Sequence, residues 1–105
     1  MAEKTLEQNI VHKVTIDQQF QNFNSTLATL RKEIFSNLLP VQGMDIQDSA
    51  WGKPKGIEKV TISFTENSYY LQVSPEQIEK NKLQETIEMF KLHGWKELLN
   101  NKLLL

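Results

Sequence analysis

Apolar positions along this chain follow several different periods, and each period predicts an element. Residues 10–16, Ile-Val-His-Lys-Val-Thr-Ile, are rich in β-branched side chains. They read as a strand with Ile10, Val14 and Ile16 on one face and His12 beside them, since β-branched runs favour extended backbone. A competing reading carries the next helix backward through the same residues. That helix is predicted over 17–39. Phe20, Phe23, Leu27, Leu30, Ile34 and Leu38 recur at steps of three and four, the spacing of one helical stripe. Thr15 and Gln18 fit a capping box at its start, and Pro40 marks its end.

Residues 40–58 contain Pro40, Gly43, Gly52, Pro54 and Gly56. They read as a long connection, with a short strand near Val41–Ile46. From 59 to 74 the period changes to two. Val60, Ile62 and Phe64 alternate with polar residues, and so do Tyr69, Leu71 and Val73. This predicts a β-hairpin. A turn at Glu66-Asn67 would pair Phe64 with Tyr69, whereas a turn at Asn67-Ser68 would pair Phe64 with Leu71. Both registers keep the apolar set on one face.

Ser74-Pro75-Glu76-Gln77 then carries the signals of a helix start, with Ser74 as N-cap, Pro75 in the first turn and Gln77 closing a capping box. A helix over 75–93 would bury Ile78, Leu83, Ile87 and Phe90. Gly94 suits the residue after its end. Trp95 and Phe90 would then supply the apolar contact of a Schellman stop. A last helix over 95–104 would carry Trp95, Leu98, Leu99 and Leu103. The fold class expected is therefore α+β. A small antiparallel sheet, made of the N-terminal strand and the hairpin 59–74, lies under the helices 17–39, 75–93 and 95–104. Residues 1–9 form a polar tail, and 10–105 form one domain.

Composition narrows the function. The chain has 105 residues and no Cys, so disulfides, thiolate metal sites and cysteine nucleophiles are out. Its net charge is −1. Of the twelve basic residues only Arg31 is Arg, whereas phosphate and base recognition favours the guanidinium fork. Nucleic acid is thus the weaker partner class, with Lys53, Lys55 and Lys59 as its candidate contacts. The polar start gives no secretory signal and no apolar run is long enough to span a bilayer, which leads us to expect a cytoplasmic protein.

The two His, His12 and His93, lie far apart in the sequence. No motif for a metal, phosphate, dinucleotide or activated nucleophile is complete. No catalytic residue, metal or cofactor is therefore expected. A ligand pocket between sheet and helices, with His12 at its wall, stays as a second alternative. Three surplus surfaces point instead to a protein partner. From Gln18 to Leu30 the polar residues carry no charge, which makes that face cheaper to desolvate. Trp51, Lys53 and Lys55 share a Gly/Pro loop that either contacts a partner or folds back as a lid on the core. Leu103, Leu104 and Leu105 cannot all face one core from a helix. Tyr70 faces away from Leu71 and adds a fourth candidate contact. The function expected is a non-enzymatic protein-interaction module, such as an adaptor, inhibitor or accessory subunit, that self-associates as a homodimer.

Overall fold

Residues 14–20 do not alternate cleanly in the sequence, yet they lie in the longest-paired strand of the fold. The computed structural model describes residues 11–98. Within them β1 (His12–Asn22) and β2 (Ser25–Ser36) form a long antiparallel hairpin. A connection then leads through β3 (Asp45–Ile46) to β4 (Lys55–Ser63), which pairs with β5 (Ser68–Val73). β6 (Glu76–Gln77) follows, then a 3-10 turn (Lys80–Lys82), helix α1 (Leu83–Leu92) and β7 (Lys96–Glu97). The spatial order is β3-β4-β5-β1-β2-β7, with β6 also alongside β1. β5 and β6 run parallel to β1 and the other pairs are antiparallel.

This corrects the expected architecture. Among the described residues the sheet is mixed and seven-stranded, strands take about 50 % and helix about 15 %, and one short helix covers it. The predicted helix 17–39 is two strands. Its stripe drew residues from both faces of a hairpin. Phe20 and Leu30 do enter the core, but Phe23 sits in the turn and Leu38 lies beyond the end of β2. The true period is two. Val14, Ile16, Gln18 and Phe20 share a face with Ile34, Lys32, Leu30 and Ala28 across the register. Gln18 and Lys32 interrupt that alternation with polar side chains, which is why it was hidden. Lys32 and the amide nitrogen of Gln18 find partners, while the Gln18 Oε1 is buried without one among the described residues. The Gln18 amide donates to the carbonyls of Gln19 and Ser74 at 2.9 and 3.0 Å. Lys32 reaches an ion pair with Asp48.

The turn of this hairpin is Phe23-Asn24, and Phe23 has φ of 56° while its ring stands 84 % exposed. A bulky residue there is strained and buries little in return. Phe23→Gly is expected to raise stability by roughly 0.5–1 kcal/mol. The check is a later midpoint in urea with an unchanged slope.

The hairpin 59–74 exists, in a third register. Ile62 faces Tyr69, Val60 faces Leu71, and Ser63 faces Ser68 around a four-residue loop. The loop holds because Asn67 takes φ of 54° and the Ser63 hydroxyl oxygen accepts the Glu66 N–H at 3.1 Å. The shift is an even number of residues, so the two faces are those expected. A bulge at Glu58 brings Ile57 opposite Val73 and into the core.

The helix predicted over 75–93 starts later, at Leu83. Ser74 is no N-cap, because its stretch of backbone is engaged by β1. Gln18 holds the Ser74 carbonyl, Ile78 N–H donates to Gln21 O at 2.9 Å, and the Asn22 amide holds the Ile78 carbonyl at 3.0 Å. The stop is as expected. Gly94 has φ of 93°, Trp95 N–H donates to Phe90 O, and Gly94 N–H donates to Lys91 O. The helix 95–104 is replaced by β7 as far as Leu98, whose N–H donates to Thr29 O. Residues 99–104 lie outside the described span, as does the tail 1–9.

The core lies between one face of the sheet and α1. Phe20 and Phe90 meet edge to face at 5.1 Å, and Phe90 meets Trp95 at 5.5 Å, separations at which aromatic pairs gain beyond area alone. The other face of the sheet is open and polar.

Candidate interaction surfaces

The connection between β2 and β4 is long, and one carboxylate fixes its course. Asp48 accepts from Lys32 Nζ at 2.6 Å through Oδ1. Through Oδ2 it accepts from Trp95 Nε1 and from the Ala50 N–H, both at 2.9 Å. Burial pushes its carboxyl pKa up. The hydrogen bonds from Lys32, Ala50 and Trp95, with the Lys32 charge, outweigh that and hold it below the usual value. Asp48 thereby ties the loop to β2 and to the residue after α1.

That tie seats Trp51. Its ring is 5 % exposed and packs on Trp95 at 5.8 Å. The side chain closes the core, in the manner of the lid alternative. Lys55 lies over the Trp51 ring at 5.7 Å and pairs with Glu76 at 3.1 Å. Lys53 stays exposed on the loop. Lys59 is on β4 and lines a shallow hollow of the open face with Tyr70 and Asp17. The three lysines thus divide between an ion pair, a loop and the open sheet.

Tyr70 stands on that open face, as its alternation with Leu71 required. The Arg31 guanidinium lies over its ring at 5.5 Å and grips Asp17 with two bonds of 2.7 and 2.9 Å. The Tyr70 hydroxyl donates to Glu66. That bond, burial and the Glu66 charge raise its pKa above the ordinary value. Leu103, Leu104 and Leu105 lie outside the described span. His12 is half-buried with its ring edge against Tyr69, and His93 meets the Ser49 hydroxyl at 2.8 Å. Among the described residues no three His, Asp or Glu gather as metal ligands. No helix among them is long and apolar enough to cross a membrane.

One surface was missed. Most exposed large apolar residues collect at one end of the sheet. The register places His12, Ser36, Ser63 and Ser68 together there. Around them stand Val11, Phe35, Ile62 and Phe64 on one side. On the other, Ile34, Leu38, Leu39, Met44 and Ile46 border a cavity of about 350 Å³ floored by Val14, Ile16 and Leu71. The sequence carried a signal for it in the apolar run Leu38-Leu39-Pro40-Val41 and in Phe64 at a hairpin tip. The helical stripe had absorbed Ile34 and Leu38 into a core. Phe35 and Phe64, 71 % and 91 % exposed, alone present on the order of 300 Å² of accessible surface.

Comparison with protein-family models, with curated proteins and with solved structures finds no match for this chain.

Proposed function

We propose that this chain is a non-enzymatic protein-interaction module that binds through the apolar end of its sheet. The observation that carries this reading is the gathering of exposed apolar side chains at one sheet end, with Phe35, Ile62 and Phe64 around one hollow and Leu38 and Met44 beside a second that has an apolar floor. Burying such a patch is favourable in proportion to its area, and aromatic residues and Met are the types enriched in protein interfaces. The near-neutral net charge agrees with a protein partner better than with a polyanion. The setting proposed is the cytoplasm, where a domain without Cys relies on packing alone.

The test is a double variant, Leu38→Glu with Phe64→Glu. Both side chains are exposed, so the stability of the fold in urea is expected to stay within about 0.5 kcal/mol. Partner binding, followed by affinity capture from source-cell extract with the wild-type chain alongside, is expected to be lost. Partners captured equally by wild type and variant would sink the reading.

A further inference from the structure

Resting on the apolar end as the contact surface, we infer that its occupant is a second copy of this chain, joined edge to edge along Lys32–Ser36 of β2. β7 pairs with β2 only at Leu30 and Arg31, and Leu98 N–H donates to Thr29 O. Beyond Arg31 the outer edge of β2 has no backbone partner among the described residues. Thr29 turns its carbonyl outward, so by alternation Glu33 and Phe35 turn their N–H and C=O groups outward as well. An unpaired edge of this kind is a template for another strand.

The free stretch fits its own copy. A two-fold axis at Ile34 sets Glu33 opposite Phe35 of the copy, and Phe35 opposite the copy's Glu33. Each pair exchanges two bonds, about four in all. Ile34 then faces its twin in the non-hydrogen-bonded position. β2 ends at Ser36, so the copy's strand stops before it would meet β7. The charges along the edge have partners in the chain, Lys32 in Asp48 and Glu33 in Lys13 at 3.5 Å. The other long edge, on β4, is blunted by the bulge at Glu58 and by Lys59, devices that discourage pairing. The pairing also brings the exposed Ile34 and Phe35 against the copy, with Leu38 beside them.

Sedimentation of the full chain is expected to give twice the 12.2 kDa chain mass, up to about 1 mM, where even weak pairing registers. A monomer throughout would overturn the inference. Because the chain has no Cys, Ile34→Cys gives a clean crosslink. Its twin sits at about 4.5 Å between Cα atoms, within the ~4.4–6.8 Å that a disulfide spans. Mild oxidation should join the copies at Ile34→Cys and leave Thr61→Cys on the β4 edge unjoined. The reverse would overturn the inference.

Two further variants test the register. Phe35→Glu sets a carboxylate opposite the copy's Glu33, and Phe35→Lys sets an ammonium there. Their dissociation constants should differ by about tenfold or more, with the lysine variant tighter. Equal constants would mean that Glu33 does not face position 35. If Glu33 and Phe35 amides are protected from exchange in a chain that stays monomeric, another part of the same chain holds the edge, and the inference falls. In a monomer that still loses a protein partner through Leu38→Glu with Phe64→Glu, only the second copy is refuted. In a monomer indifferent to that double variant, both readings fail.

Discussion

Asp48→Ala should cost the fold about 2–4 kcal/mol. The side chain is small, so its area explains little of this. The loss comes from three donors left behind. The Lys32 ammonium, the Trp95 indole N–H and the Ala50 N–H all point at the two carboxylate oxygens. Lys32 and Trp95 belong to β2 and to the residue just after the helix stop, so their contacts loosen together with the loop that carries Trp51. Urea unfolding followed by Trp fluorescence reads both indoles. For a domain of this size the same loss lowers Tm by roughly 10–25 °C. Asp48→Asn should fall between wild type and alanine, since it keeps one acceptor oxygen and loses the charge. An alanine variant within about 0.5 kcal/mol of wild type would mean that these bonds do not hold the loop.

The same group gives a pH dependence with a definite sign. Asp48 has a lower pKa in the folded chain than in the unfolded one. The unfolded chain therefore binds more protons in the acid range, and stability rises with pH there. The contribution of Asp48 is fully present above its ordinary value, about 3.9. It is lost as the pH falls through the depressed folded value. Alanine at 48 should flatten that part of the stability profile.

What the sequence disclosed depended on whether apolar side chains marked each element alone. The hairpin 59–74 was legible because its inward positions are all apolar, and alternation needs no further context. Its register was not, because an even slip preserves the faces and the choice rests on local bonds at Ser63 and Asn67. The stop at Gly94 was legible because left-handed backbone after a helix favours Gly whatever it packs on. β1 and β2 were mistaken because Gln18 and Lys32 take core-facing positions, and their partners, the Ser74 carbonyl and Asp48, are remote in sequence. The helix start at Ser74 failed for the same kind of reason. Local capping signals there lose to backbone bonding with β1, a tertiary effect that propensity does not contain.

Of the candidate site, Tyr70 was placed on the correct face because the hairpin period was correct. The loop containing Trp51, Lys53 and Lys55 was found, but its internal role for Trp51 depends on Asp48 meeting Trp95, a contact between distant segments. The apolar end was hidden by the helical stripe. A helix over 17–39 would have buried Ile34 and Leu38, whereas a strand ending at Ser36 releases them to one end of the sheet.

Phe90→Ala should be the most damaging single change in the core, at about 3–5 kcal/mol. Phe90 is 1 % exposed and stands between Phe20 of β1 and Trp95 after the helix. Its carbonyl receives the Trp95 N–H that closes the stop at Gly94. The helix is short, and isolated helices of this length are marginal in water. Its persistence therefore depends on the face that Ile87 and Phe90 bury. Removing the ring leaves a cavity lined by two aromatic neighbours too rigid to fill it, which places the cost at the upper end of the range. The loss approaches the whole stability of a small domain. Phe90→Leu, which keeps most of the volume, should recover more than half of it. Hydrogen exchange separates this from a uniform weakening. Amides of α1 and β7 should lose protection first and those of the β1–β2 hairpin last, because the hairpin is held by its own ladder and by β5. Simultaneous loss throughout would show instead that helix and sheet unfold as one unit.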